Sequence, residues 1–187
     1  MNSISKMYKY LKGVLKYFFF VKFLRQKHYM QVDLAQLMVN WLFQRIFRIN
    51  DEIPFSVHFT SKIQGYQNIV FKGNSENIKI NFAVSGGCYF TVFNGSKLEI
   101  GENTIWAYNV CIQTGNHDFE NRDKYKVADV QIGSNCWIGN SVTILAGVKI
   151  GDNVTVGANS VVTKSFPSNC IVGGCPAKLI REINPQK

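Results

Sequence analysis

The sequence has few of the residues from which metal sites and disulfide frameworks are built. Its 187 residues include three histidines and five cysteines, and no two cysteines form a CxxC pair. An odd number of widely spaced cysteines fits neither a disulfide framework nor a tetrahedral zinc site. The pattern favours small buried thiols in a reducing compartment, so we expect no metal ion.

Long apolar runs are also missing. The longest uncharged apolar run near the N-terminus, Tyr17 to Val21, is far too short to cross a bilayer. The basic start resembles a signal peptide, but Lys16 and Lys22 interrupt the apolar stretch and no small-residue cleavage site follows. These features predict a cytoplasmic protein.

Acidic residues are scarce in only one part of the chain. Residues 1–50 hold nine lysines and arginines against the single acid Asp33, whereas residues 51–187 hold twelve against eleven acids. Nearly all of the net charge of +9 therefore lies in the N-terminal segment. A nucleic-acid-binding function would depend wholly on that segment, and we expect none.

Residues 1–50 are predicted to form a basic amphipathic helical arm. Apolar residues recur at helical spacing from Leu11 to Phe19, and again from Val32 to Phe47. One interpretation is that residues 1–30 associate with an anionic membrane surface, peripherally at its inner face. The other is that the apolar face packs on the rest of the protein while the lysines are solvated.

Residues 51–187 are organised by a six-residue repeat. Each unit carries two apolar side chains at positions i and i+2, as in a strand, and then a turn rich in Gly, Asn and Asp. A period of six does not keep one face of an α-helix buried, and one corner per unit describes a three-sided prism. The spacing therefore predicts a mainly β protein, a parallel β-helix. The main series is Ile132, Ile138, Ile144, Ile150, Val156 and Val162.

Two segments depart from the repeat. Between residues 70 and 99, Ile78, Ile80 and Phe82 alternate like a strand but lose the strict phase, so we expect coils with corner insertions. The polar stretch 115–129 is predicted to leave the prism as a projecting loop, where function is commonly found. A short basic tail follows the turn at Pro176.

Among the three histidines, His117 has the position expected of a functional residue. It lies where the repeat ends and the loop begins, whereas His28 and His58 are expected to be structural or solvated. An imidazole has an ordinary pKa of about 6.5, so near neutral pH it can accept a proton from a hydroxyl or ammonium group.

Residues 100–183 resemble the hexapeptide-repeat acetyltransferases, which include galactoside, maltose, serine and xenobiotic acetyltransferases. With the basic arm and Asn116-His117-Asp118 included, the likeness is strongest to O-acetyltransferases of surface-polysaccharide biosynthesis. The resemblance implies a left-handed coil and a homotrimer. Its motifs are Cys136–Gly139, Gly147–Asp152, Val156–Lys164 and Gly174–Arg181.

The resemblance also implies roles for residues. His117 is expected to be the general base that deprotonates a sugar hydroxyl as it attacks acetyl-CoA, with no metal. Asn140 is expected to meet the oxyanion, and Asp118 to orient the imidazole. The residues expected to line the acetyl-CoA site are Trp137, Ala146, Gly147, Ala158, Thr163, Lys164, Lys178 and Arg181.

The acceptor is left open by the sequence. Asn94-Gly95 stands where the galactoside enzymes have an acid, so galactoside specificity does not carry over. N-acetylation of a nucleotide-linked amino sugar is the nearest enzymatic alternative, and a non-catalytic β-helix scaffold is the alternative of another class. A carbonic anhydrase on the same prism needs three histidines around zinc, and the repeat holds only His117.

Overall fold

The computed structural model describes residues 3–16 and 27–183. The helices are α1 (Ser3–Lys16), α2 (Leu34–Arg45) and α3 (Glu76–Val84), with 3₁₀ helices at Lys27–Gln31 and Tyr66–Asn68. The strands are β1 (Lys62–Gln64), β2 (Ile69–Phe71), β3 (Tyr89–Thr91), β4 (Leu98–Ile100), β5 (Ile105–Trp106), β6 (Cys111–Gln113), β7 (Gly115–His117), β8 (Tyr125–Val127), β9 (Val130–Ile132), β10 (Trp137–Ile138), β11 (Thr143–Ile144), β12 (Lys149–Ile150), β13 (Val154–Val156), β14 (Val161–Val162), β15 (Cys170–Gly173) and β16 (Lys178–Glu182).

The strands wind into a three-sided prism. Sheet A has the order β1-β3-β6-β11-β14, sheet B the order β2-β4-β9-β12, and sheet C the order β5-β10-β13-β15-β16. All neighbours within these sheets are parallel except β15 and β16, which pair antiparallel at one end. The chain passes from sheet C to A to B in each coil, so every residue belongs to a definite face or corner.

The strand register confirms the six-residue repeat. Ile138 pairs with Val156 and Ile144 with Val162, so in these coils neighbours in one sheet are 18 positions apart, one unit for each of three faces. Across the polar stretch, Ile100 pairs with Ile132, a separation of 32 positions. The extra residues form one insertion at a single corner of one coil.

The strand-like alternation predicted for Ile78, Ile80 and Phe82 was wrong. This segment forms α3, in which Ile78 and Phe82 lie one helical turn apart and are fully or almost fully buried, while Ile80 is half-buried. The helix sits in front of β5: Asn81 Oδ1 accepts a hydrogen bond from the Trp106 backbone N–H at 3.2 Å. The Phe82 ring packs edge-on to Trp106 with centroids 4.9 Å apart. The helix thus fills the place of a sheet C strand in the first coil.

The core consists of stacked Ile and Val ladders with a few thiols between them. Cys88, Cys136 and Cys170 are buried as free cysteines, and burial raises the pKa of each thiol. Buried neutral thiols are poor nucleophiles, so these three contribute packing.

The described part of the N-terminal segment contains α1, α2 and a 3₁₀ helix between them. The observed α2 lies within the run predicted from Val32 to Phe47, and α1 ends at Lys16. The predicted continuation through Phe18 and Phe19 lies outside the described residues. No helix in residues 3–16 or 27–183 is long and apolar enough to cross a membrane.

Candidate active site

The insertion at the corner between sheets A and B is a β-hairpin. Strands β7 and β8 pair antiparallel, with Asn116 opposite Lys126 and His117 opposite Tyr125. The Ala128 backbone N–H donates to the Thr114 carbonyl at 2.9 Å, which closes the base of the hairpin. The predicted loop 115–129 therefore has a fixed backbone that can hold a side chain in one place.

His117 is held by the turn of its own hairpin. Its Nδ1 lies 2.7 Å from the backbone carbonyl oxygen of Arg122. A carbonyl only accepts hydrogen bonds, so Nδ1 carries the proton and Nε2 of the neutral ring has a free lone pair. The side chain is exposed, so this nitrogen is accessible to a substrate.

Asp118 has a different partner from the one expected. Its carboxylate forms a 2.7 Å ion pair with Lys126 and accepts the backbone N–H groups of Glu120 and Asn121 at 2.7 and 3.1 Å. Lys126 and these N–H groups lower the pKa of the Asp118 carboxyl to about 2. The carboxylate therefore closes the hairpin turn, and the Arg122 carbonyl takes the orienting place that the sequence analysis gave to Asp118.

Aromatic rings support the imidazole from the other side. The Tyr125 ring lies 4.4 Å from the His117 ring, centroid to centroid, and 5.3 Å from the Phe93 ring. A Cβ atom at Gly115 would lie 2.7 Å from the Phe93 ring, so glycine allows the ring to approach the hairpin closely. Tyr125 and Phe93 were not predicted as site residues, although an aromatic residue inside a polar stretch is a signal that the sequence contains.

A cavity of about 230 Å³ opens beside His117. It lies between the hairpin and the outer face of sheet A. The Tyr89 hydroxyl, at its edge, donates to Gln64 Oε1 at 2.9 Å. The lining thus combines aromatic faces with amide and hydroxyl groups, and consists of Tyr89, Thr91, Phe93, Gln113, Gly115, Asn116, His117 and Tyr125.

The other predicted site residues lie on two edges of sheet A and on sheet C. Ala146, Gly147, Thr163 and Lys164 follow β11 and β14, at the same corner as the hairpin but in later coils. Asn140 and Ala158 precede β11 and β14, at the opposite edge of the sheet. One copy of the chain therefore does not bring all of the predicted residues together.

The residues at the corner with Asn140 and Ala158 are closely stacked. The Asn159 backbone N–H donates to the Asn140 carbonyl at 2.8 Å, and the Asn140 side chain donates to Ser141 Oγ at 2.9 Å. A Cβ atom at Gly139 would lie 2.7 Å from the Ala158 nitrogen. Small residues thus leave this corner narrow, with the Asn140 and Ala158 side chains exposed.

The predicted cationic residues are all exposed. Lys164 lies over the Phe166 ring at 5.7 Å, whereas Lys178 and Arg181 lie on β16 at the end of sheet C. Trp137 points outward from β10 on the same sheet and is 54% exposed. The structure thus presents the charges to solvent, where phosphate groups could meet them.

The chain matches known proteins over its repeat region. Residues 129–164 match the family described as bacterial transferase hexapeptide (six repeats). A galactoside O-acetyltransferase of Escherichia coli strain K12 is 36% identical over 119 residues, 62% of this chain and 59% of that protein. A protein of the same strain, provisionally named a lipopolysaccharide biosynthesis O-acetyl transferase, is 31% identical over 153 residues, 73% of this chain and 75% of its own length. The chain belongs to the family of hexapeptide-repeat acetyltransferases.

A solved structure shows the same fold. It is a hexapeptide-repeat-containing acetyltransferase from Vibrio cholerae O1 biovar eltor, crystallised with acetyl coenzyme A, with a TM-score of 0.53. It is 22% identical, and the match covers 81% of this chain and 87% of that one. The predicted left-handed parallel β-helix is thus confirmed.

Proposed function

We propose that this protein transfers an acetyl group from acetyl-CoA to a sugar hydroxyl in surface-polysaccharide biosynthesis, with His117 as general base. The observation that carries the proposal is the 2.7 Å contact from His117 Nδ1 to the Arg122 carbonyl, which leaves Nε2 as the basic nitrogen. The two relatives named as O-acetyltransferases of a galactoside and of lipopolysaccharide biosynthesis support hydroxyl over amine as acceptor.

The reaction needs one proton relay. Nε2 of His117 takes the proton of the acceptor hydroxyl while its oxygen attacks the thioester carbon. The tetrahedral oxyanion is met by a donor at Asn140, and its collapse breaks the carbon–sulfur bond. The imidazolium returns its proton to the leaving thiolate. No acyl-enzyme forms, because the acceptor oxygen attacks the thioester directly.

The cavity beside His117 is proposed to hold the acceptor. Its volume of about 230 Å³ suits one sugar ring, whose C–H face packs on Tyr89, Phe93 or Tyr125 while its hydroxyls meet Gln113 and Asn116. Because the cavity is open, the rest of the acceptor can extend into solvent. This favours a sugar unit within a polysaccharide or a lipid-linked glycan as acceptor.

A homotrimer is proposed as the assembly. His117 and Asn140 lie at opposite edges of sheet A, so a site that contains both is completed when the hairpin corner of one copy meets the Asn140–Ala158 corner of a neighbour. The pantetheine arm of acetyl-CoA would then run between copies, and Trp137 would line one side of the site. The residues near the phosphates of the nucleotide end would be Thr163, Lys164, Lys178 and Arg181.

The basic arm supports a location at the inner face of the membrane. We propose that residues 1–30 associate with anionic lipid, which would bring a cytoplasmic enzyme close to lipid-linked acceptors. Within α1, Leu11 and Leu15 are 51% and 62% exposed. Residues 17–26 lie outside the described residues.

The decisive measurement is thiol release from acetyl-CoA with a panel of sugars, polysaccharide fragments and nucleotide-linked amino sugars. His117→Ala is expected to lower kcat about 10²–10⁴-fold with the best acceptor, while KM for acetyl-CoA changes little. His28→Gln, a histidine substitution away from the cavity, serves as the control and should keep wild-type kcat. Equal rates in wild type and His117→Ala would overturn the mechanism, and a preference for an amino sugar would overturn the hydroxyl acceptor.

A further inference from the structure

The α2 helix is oriented with polar residues inward. Its buried side chains are Leu37, Asn40 and Gln44, which share one face of the helix. Two of the three are amides, whereas the opposite face is apolar. This is the reverse of an ordinary surface helix, which buries its apolar stripe.

The inward amides attach α2 firmly to the first coil. Asn40 donates to the Ala83 carbonyl at 2.9 Å and accepts the Phe59 N–H at 3.1 Å. Gln44 donates to the Phe55 carbonyl and accepts the Val57 N–H, both at 3.0 Å. Every one of these bonds is to the backbone, so the orientation of α2 is fixed and its apolar face is held outward.

The outward face is a contiguous apolar surface. Met38, Val39, Trp41 and Leu42 line a groove of about 340 Å³, and their exposed fractions are between 36% and 55%. One turn further on, Ile46 is 60% exposed. Exposed apolar patches of this kind indicate a surface that something covers.

The α1 helix is tied to the start of α2 and is also rich in exposed apolar side chains. Lys12 of α1 forms a 3.0 Å ion pair with Asp33, the residue that caps the N-terminus of α2. Of 23 large apolar side chains exposed in the described residues, 14 lie between Met7 and Ile49. The exposed apolar area is therefore concentrated where the net charge of +9 is also concentrated.

Charge decides what covers this surface. A second copy on the same face would bring a second arm with nine cationic residues and one acid against the first, and the two would repel. An anionic bilayer neutralises the arm, accepts apolar side chains below its headgroups, and suits a tryptophan at the interface such as Trp41. We propose that the outward face of α2, together with α1, is a docking surface for an anionic lipid bilayer.

The proposal extends the membrane association proposed for residues 1–30 to a second helix, and it is tested without any acetyl donor. Full-length protein is floated with vesicles of phosphatidylglycerol and phosphatidylcholine, and with phosphatidylcholine alone. Leu42→Glu on α2 is compared with Leu179→Glu on β16, where the leucine is 50% exposed and the change of charge is the same. Leu11→Glu reports on α1, and Trp41→Ala is an uncharged second variant of α2.

We expect Leu42→Glu and Trp41→Ala to bind anionic vesicles at least tenfold more weakly than wild type, and Leu179→Glu to bind within twofold of it. Equal binding by Leu42→Glu and Leu179→Glu would overturn the role of α2, and a loss with Leu11→Glu alone would confine docking to α1. Light scattering, which measures the oligomeric state, completes the test. If wild type fails to bind anionic vesicles and Leu42→Glu changes the oligomeric state, the proposal is wrong and a second copy of the chain covers this face.

Discussion

At the scale of single residues, the orientation of His117 depends on a backbone atom. The Arg122 carbonyl fixes the tautomer, the Tyr125 ring limits ring rotation, and the Asp118–Lys126 pair closes the turn that presents the carbonyl. Each contact comes from within the hairpin, so local structure positions the imidazole.

The Asp118 carboxylate provides a test of this arrangement. Its pKa of about 2 is below the ordinary value, so its contribution to the hairpin is present above about pH 4 and is lost as pH falls towards 2. Asp118→Asn is therefore expected to lower kcat by about fivefold or less, the scale of an exposed ion pair, and by the same factor at every pH from about 6 to 9. A carboxylate that oriented the imidazole would cost orders of magnitude more. Steady-state kinetics against pH separate the two.

Gly115 gives a second prediction at this scale. Gly115→Ala places a methyl group against the Phe93 ring, and we expect a loss of about 1–3 kcal/mol in the free energy of unfolding, together with a lower kcat. Gly157→Ala is the matched control, because the nearest atom to its new Cβ is 3.5 Å away. Urea unfolding of both variants measures the difference. Equal stability would show that Phe93 moves aside at no cost.

At the scale of elements, α3 distinguishes two interpretations of one sequence. In a strand, Ile78, Ile80 and Phe82 would share a face and be buried alike. In the helix, Ile78 is fully buried and Ile80 half-buried. Ile78→Ala is expected to cost about 2–5 kcal/mol and Ile80→Ala less than half as much, measured by chemical denaturation. Equal losses would support the strand.

The same comparison shows what the sequence could predict. From Ile132 to Val162 every sixth residue is apolar, and no helix or ordinary sandwich keeps that period over six units. The buried position in each of these units was therefore predicted. Ile78, Ile80 and Phe82 satisfy both alternation and helical spacing, and the choice was made by tertiary contact with Trp106. The described part of the arm contains α1 and α2. The burial of amides by α2 was not predictable, because it depends on backbone groups outside the helix.

Of the candidate site, the sequence could indicate His117 but not the group that orients it. His117 was found through the resemblance of the residues around it. Its orienting group was not found, because every residue has a carbonyl and the identity of Arg122 carries no signal. Asp118 was predicted to orient the imidazole because it follows His117 directly, but consecutive side chains of an extended strand point to opposite sides.

At the scale of the whole molecule, the proposed trimer predicts complementation between inactive copies. His117→Ala removes the base and Ala158→Trp is designed to block the acetyl-CoA site at the opposite edge of sheet A. Mixed by co-expression, they are expected to recover about a quarter of wild-type activity, because each site would draw one residue from each of two copies that assort at random. Each variant alone should be inactive. Activity of the mixture no higher than that of either variant would place the whole site in one copy.

The register of 18 positions in the regular coils has a consequence for how the chain can change in length. Each coil adds one strand spacing, about 4.8 Å, along the axis. Each coil between the hairpin with His117 and the cationic residues of β16 therefore adds one such step to their separation along the axis. Gain or loss of 18 residues between them would shift that separation by one step and keep every residue on its face. Gain or loss of six residues would keep the apolar side chains buried but would move the functional residues to a neighbouring face of the prism. The number of coils therefore sets the distance along which acetyl-CoA can extend.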